Sequence, residues 1–391
     1  MKGEGPCAIE MPEFVQRSIV KKTSAKDWFI VANPGEILSP GLLFYTERID
    51  ENLRRMVELA GGVERLRPHV KTHKCSELIR SQLALGLTKF KCATLAEAEM
   101  LARCGAPDVL LAYQPVGPNI KRLVELAQAF PASQLSALVD AREILVQIGR
   151  AAQAAHVNLG IFIDLDCGMH RTGIAPGPEA GKLYEKISAT PGVTAKGFHA
   201  YDGHVHDPDL HTRQTMADAA FAQVSGLRQK LEANGIAVPT VVAGGTPTFP
   251  MHAARPRVEC SPGTCVLWDF GYGDKFPDLP FSPAAVLLTR VISKPGPDLL
   301  CLDLGYKAVA SENPPPRVRF LNAPEAEAVL QSEEHLVVRT PRAAAFELGD
   351  PLYGIPRHIC PTVALHEKAV LIRGGRAVGE SRIDARQRSP L

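Results

Sequence analysis

With 391 residues, 45% of them apolar and 22% charged, the chain can bury a large core and has the length of two domains. Its 44 basic and 42 acidic residues leave a net charge of +2 mixed along the sequence, which gives no electrostatic footprint for nucleic acid or an anionic membrane. A small-molecule partner is expected.

Residues 1–14 carry acidic side chains and lack an apolar stretch of signal-peptide length, and no later run is long enough to span a bilayer, so a cytoplasmic protein is expected. Nine cysteines, at 7, 75, 92, 104, 167, 260, 265, 301 and 360, lack paired spacing and read as reduced thiols. Residues 49–60 predict a helix with Leu53, Met56, Val57 and Ala60 on one face, leading into a first strand at 66–71. Strands follow at 89–92, 109–113, 135–139, 159–164, 194–199, 238–243 and 257–260, with helical patterns at 95–104, 120–129, 141–155 and 212–233. Eight parallel strands with outer helices predict an α/β fold, a (β/α)8 TIM barrel whose active site lies at the strand C-terminal ends. Beyond 274, apolar runs at 285–292, 299–304, 335–339 and 369–372, separated by Pro and Gly, predict a second, mainly β domain. The expected division is a segment 1–39 able to pack on the β domain, a barrel at 40–274 and the β domain at 275–391.

The run Arg67-Pro68-His69-Val70-Lys71-Thr72-His73-Lys74 sets Lys71 at the end of the first barrel strand among polar neighbours. A lysine amine attacks a carbonyl only when deprotonated, and burial or nearby cations favour that form. On charge alone the run would pass for a solvated basic loop, but Pro68 and the helical pattern from Cys75 read as strand, turn, helix. Ala243-Gly244-Gly245-Thr246-Pro247-Thr248 follows the seventh strand, where barrels favour phosphate sites, and Gly263 and Thr264 after the eighth offer a second group of donors. A Gly-Gly turn by itself is only a turn. Arg171, after the fifth strand, suits an anion or a ring nitrogen, or else a salt bridge with Asp164 or Asp166. The sixth strand runs into Tyr201, His204 and His206, a polar set without regular metal-ligand spacing. His358-Ile359-Cys360 would place both ligating side chains on one face of a strand, half of a divalent metal site; a satisfied histidine beside a buried cysteine is the alternative.

Taken in this order, the 67–74 run, the 166–173 run, the 243–248 loop, Pro262-Gly263-Thr264 and His358-Ile359-Cys360-Pro361-Thr362 together resemble the D-threonine aldolase and D-serine dehydratase family, from about Pro40 into the C-terminal domain. The resemblance implies an alanine-racemase-type barrel using pyridoxal 5'-phosphate and a divalent metal, zinc or manganese, on a D-amino acid, in a homodimer. It implies that Lys71 carries the cofactor as a Schiff base and acts as base at Cα. Gly244, Gly245 and Thr246 would bind the phosphate with Gly263 and Thr264, Arg171 and Tyr201 would face the ring, and His358 and Cys360 would hold the metal. His204 or His206 would accept the β-hydroxyl proton in an aldol cleavage. The histidine-rich 201–206 loop resembles the aldolase branch, whereas Cys360, where aldolases carry aspartate, resembles the dehydratase branch. Cys265 departs from the tyrosine that relatives place after Gly-Thr. The expected activity is D-threonine aldolase type, with D-serine or D-3-hydroxyaspartate dehydration as the alternative. A cofactor carrier without turnover, or a racemase using Tyr306 or Tyr353 as second base, stays open.

Overall fold

The computed structural model describes residues 27–388. The expectation for residues 1–14 falls outside them. Strand β1 (Gly41–Tyr45) is followed by α1 (Thr46–Ala60), which stops where Gly61 turns left-handed at φ 79°. Then come α2 (Ser76–Ala84), β2 (Lys89–Cys92), α3 (Leu95–Arg103), β3 (Asp108–Leu111), α4 (Pro118–Ala129), β4 (Gln134–Val139), α5 (Arg142–Ala154) and β5 (Leu159–Asp164). The barrel ends with α6 (Pro178–Ser188), β6 (Val193–Ala200), α7 (Leu210–Ala233), β7 (Thr240–Ala243), α8 (Phe249–Ala253) and β8 (Val258–Cys260). After α9 (Phe270–Lys275) the chain builds β9 (Ala285–Gly296), β10 (Leu299–Leu302), β11 (Val318–Phe320), β12 (Glu327–Gln331), β13 (Leu336–Arg339) and β14 (Pro351–Pro356). It closes with α10 (Ile359–Leu365), β15 (Lys368–Arg373) and β16 (Arg376–Arg382).

Strands β2 to β8 form a parallel sheet in sequence order, the alanine-racemase-like barrel predicted from the alternating pattern. The first barrel strand is irregular. Parallel bridges link Leu66 to Cys260 and His69 to Lys91, joining the two edges of that sheet, and residues 70–72 then tighten into a 3-10 turn. Pro68 explains the irregularity: it has no N–H for a ladder, though its carbonyl accepts from Lys91 N at 2.9 Å. The second sheet runs β12-β13-β10-β9-β1-β15-β16, with β14 pairing β9 and β11. Its interior strand β1 lies at 41–45, within the stretch that the sequence reading gave to the barrel. This short apolar run pairs antiparallel with β9 and parallel with β15, so the β sheet takes one strand from before the barrel. Phe29, Val31 and Ile37 pack there against Leu43, Tyr45 and Tyr353, so the described part of the N-terminal segment lies on the β domain.

Inward-facing barrel residues stack in layers. At the N-terminal end, buried Arg67 donates to Glu259 at 2.7 Å and grips both oxygens of Asp108, while Lys89 pairs with Glu259. These mutually compensated charges form part of the wall of a cavity of about 490 Å³. Leu110, Leu138, Phe162 and Val242 fill the next layer. The layer at the C-terminal end is polar and belongs to the site below.

Buried histidines make acid costly. Burial drives His73 down to about 3, with a backbone hydrogen bond of Cys75 opposing and the charge of Lys74 adding to the fall. His69 is held well below its ordinary value by burial and by the charges of Lys71 and Lys91. The unfolded chain therefore binds protons that the folded chain refuses, so stability should fall as pH drops through 6.5 toward 3, by roughly 1.4 kcal/mol per pH unit for each such histidine. Urea unfolding at pH 7, 6 and 5 checks this: His73→Gln should flatten the slope, and a wild type equally stable at all three would refute it.

Candidate active site

The Val70–Thr72 turn carries Lys71, half-buried, with its backbone N–H on His69 Nδ1 at 3.4 Å. Thr72 Oγ1 lies 3.2 Å from Cys360 Sγ, and Thr264 Oγ1 lies 3.5 Å from the same sulfur. Thr246 Oγ1 accepts the backbone N–H groups of both Gly263 and Thr264 at 3.2 Å. Four elements far apart in sequence thus converge within hydrogen-bond reach: the lysine turn, the loops after β7 and β8, and the start of α10.

The glycines are required by space. Gly244 has φ +72°, and a Cβ there would collide with the His252 ring; at Gly263 a Cβ would come within 3.1 Å of His69 O and Thr72 Oγ1. Behind the loop, Asp202 accepts from Thr248 Oγ1 at 2.8 Å and pairs with His252 Nε2 at 2.7 Å, fixing the turn from below. Cys265 is buried, its sulfur 3.9 Å from Thr246 Oγ1. Tyr272, on α9, contributes a phenol whose ionisation is strongly disfavoured by burial and by the charge of Cys360. It lines a cavity of about 290 Å³ with Tyr201, His206, Gly245 and Lys275.

His358 and Cys360 do lie together, but not on a strand. His358 is the N-cap of α10 and Cys360 its second residue; an aspartate, Asp269, accepts the first helical N–H, of Ile359, at 3.0 Å. Proline at 361, free of a donor it would not need in the first turn, starts a helix that two-residue alternation did not suggest. His358 Nδ1 bonds Glu312 Oε1 at 2.5 Å. Burial would lower His358, but the hydrogen bond and charge of Cys360, with Glu312 and Asp269, lift it to about 9. Burial likewise opposes the Cys360 thiolate, and His358, Thr72 and Thr264 overcome it, bringing the thiol below its ordinary value. The pair therefore favours imidazolium and thiolate. Among the described residues, no group of three His, Cys, Asp or Glu gathers into a metal cage.

Arg171 forms no ion pair of the kind weighed from sequence. Asp166 turns instead to His170, and the Arg171 guanidinium lies 5.0 Å from the centre of the Tyr201 ring. His206 reaches the cavity wall; His204 does not line it, its ring packing on Gly168 with Nδ1 buried and without a hydrogen-bond partner among the described residues. Sequence reading passed over Lys91 and did not link it to Asp164 or His199. Lys91 is buried on β2 with Nζ 3.5 Å from His199 Nε2, and His199 Nδ1 meets Asp164 Oδ1 at 2.7 Å. The available signal was alternation: Lys89 and Lys91 flank Phe90 and share the inward face.

Residues 45–268 match the alanine racemase N-terminal domain family, and residues 284–372 match the putative serine dehydratase domain family. D-threonine aldolase from an Arthrobacter species is 32% identical over 354 residues, 88% of this chain and 92% of that protein. The crystal structure of D-threonine aldolase from Filomicrobium marinum superposes with a TM-score of 0.84 at 25% identity, covering 91% of this chain and 97% of that one. D-threo-3-hydroxyaspartate dehydratase from Delftia sp. HT23 shares the fold with a TM-score of 0.77 at 23% identity, covering 88% and 97%. The chain belongs to the alanine-racemase-like, fold-type III pyridoxal-phosphate family that includes D-threonine aldolase and D-threo-3-hydroxyaspartate dehydratase.

Proposed function

We propose that the protein is a pyridoxal-phosphate- and divalent-metal-dependent lyase of D-threonine aldolase type, cleaving a D-β-hydroxy-α-amino acid to glycine and an aldehyde. The observation that carries this reading is the convergence of the Lys71 turn, the glycine cradle and the His358–Cys360 pair around Thr72 and Thr264. The residues fit the cofactor. The backbone N–H groups of Gly263 and Thr264, now on the Thr246 hydroxyl, and that of Gly245, now on the Thr248 hydroxyl, would turn to a phosphate together with the Thr246 hydroxyl, in a cradle that side chains larger than hydrogen would fill. Lys71 supplies the amine. Bound there, the cofactor provides a sink for negative charge developing at Cα.

The metal half-site also fits. Imidazole and thiolate suit zinc, and Glu312 on Nδ1 fixes His358 with its other nitrogen turned toward Cys360, as metal-ligating histidines are commonly held. An ion there would add Lewis acidity toward a β-hydroxyl oxygen, with substrate or water completing its shell. For aldol cleavage a base must take the β-hydroxyl proton; His206, on the cavity wall, is favoured over His204 for this. The Cα–Cβ bond would then break, and Lys71 would return a proton to Cα. Arg171 and Tyr201 would flank the ring.

One observation favours a second reading, dehydration to an oxo acid and ammonia. The sulfur ligand Cys360 disfavours hard ions, and a D-threo-3-hydroxyaspartate dehydratase has been solved as a histidine-to-alanine variant and as a cysteine-to-alanine variant in a metal-free form, the two positions two residues apart. Racemisation is less well supported: Tyr353 is buried with its hydroxyl accepting from Val31 N, and packs on Phe29 in the β domain. Incubation with D-threonine, D-serine and D-3-hydroxyaspartate separates the readings. Glycine with an aldehyde is the expected result; ammonia with an oxo acid, and no glycine, would replace the aldolase reading with the dehydratase one.

A further inference from the structure

We propose that Lys91 is a positioning residue for Lys71: a second amine in the barrel mouth, tethered through His199 to Asp164, whose charge state governs the electrostatics at the cofactor-bearing lysine. The inference rests on the reading above that Lys71 bears the cofactor. Nothing in the aldol or elimination steps uses Lys91, yet an amine inside a barrel needs a reason, because burying a charged lysine costs far more than burying an apolar side chain. Lys91 is 2% exposed and lies on the strand next to the Lys71 segment, tied by the His69–Lys91 bridge and the Lys91 N to Pro68 O hydrogen bond.

Groups from every side face it. His69 and Lys71 come from the first barrel segment, Asp164 from β5, Arg171 from the loop after it, and His199, Tyr201 and Asp202 from β6 and its extension. Burial is the largest influence, bringing Lys91 down to about 7; the charges of Lys71 and Arg171 push the same way, and Asp164 and Asp202 oppose. Burial would raise Asp164, but the hydrogen bonds of His199 and Thr172 and the charge of Arg171 hold it anionic below its ordinary value. His199 itself is pushed down by burial, with Asp164 opposing, so it stands as a neutral link between the carboxylate and the amine. The Lys91 ammonium is thus set between two buried carboxylates, Asp164 and Asp202, and two neighbouring cations, Lys71 and Arg171. Its charge and that of Lys71 disfavour one another, and whatever changes the charge at Lys71 must move Lys91 in turn.

Two readouts independent of turnover test this. In the cofactor-loaded full-length enzyme, the visible band should show a pH step between about 6 and 9, the range around a lysine ionisation moved toward neutrality. That step should vanish in Lys91→Met, while Lys91→Arg, always charged, should hold the acid-form spectrum across the range. A role in packing alone would leave the step in place, and a loaded Lys91→Met that retains it overturns the proposal. Should Lys91→Met not fold, Lys91→Gln gives the same comparison. Separately, NMR of the purified wild type carrying lysine labelled with 13C at Cε should show one resonance titrating below pH 8.5; if every lysine titrates near the ordinary 10.4, the proposal is wrong. A wild type that never develops a visible band refutes the cofactor reading instead, and the NMR titration then still decides the state of Lys91.

Discussion

Lys71→Ala is expected to yield a folded protein that stays colourless with pyridoxal phosphate and has no detectable turnover, whereas the wild type turns yellow. The covalent link is one amine; of the other described lysines nearby, Lys91 is held against His199 deep on β2 and Lys275 stands on α9 at the cavity wall. The fold should survive. Lys71 is half-buried, and the turn around it is fixed by the backbone bonds of His73 and Lys74 to Val70 O and by the Lys74–Glu97 pair, none of which uses the Lys71 side chain. Thr94 caps α3 by accepting from Glu97 N, and Glu97 also accepts from Ala93 N, so the same carboxylate locks helix and turn together. Circular dichroism should therefore overlay for the two proteins. Borohydride reduction followed by peptide mapping should find the cofactor on Lys71 of the wild type. A label on another lysine, or a wild type that remains colourless, would refute the assignment.

What the sequence revealed follows from which signals are local. Hydrophobic periodicity gave β2 and β5 at their observed bounds and most other barrel strands to within two residues, because each reports its own burial. The Lys71 turn was legible through Pro68, though Pro68 also makes that strand a pair of bridges rather than a ladder. Strand β1 was missed because a five-residue apolar run in front of a helix does not say which sheet it joins; only pairing with β9 and β15, some 240 residues or more away, does that. The Lys91–His199–Asp164 chain was missed for the same reason. Each residue lies at or next to the C-terminal end of its strand, and only ring closure shows that the three face one another. Likewise Glu312 reaches His358 across 46 positions, a contact no spacing rule foretells.

Removing the metal should nearly abolish turnover while leaving the yellow colour. Lewis acidity at the β-hydroxyl is worth several kcal/mol, so chelation or Cys360→Ala should cost about a hundredfold or more in kcat. The colour is independent because Lys71 and the glycine cradle do not depend on the sulfur: Gly263 N and Thr264 N are held by Thr246, and the Thr72 and Thr264 hydroxyls at Cys360 can turn to water. Zinc should restore the chelated wild type, in line with the thiolate that His358 promotes. Cys360→Asp provides the sharper comparison, since it keeps a negative ligand at the second position of α10 but replaces sulfur with hard oxygen. That variant should be rescued better by manganese than by zinc, reversing the wild-type order, and its product ratio should shift toward glycine and aldehyde if ligand hardness selects which bond to Cα breaks. Full activity of the wild type after exhaustive chelation would remove the metal from the reaction and leave His358 and Cys360 as an ion pair fastening α10 to the barrel.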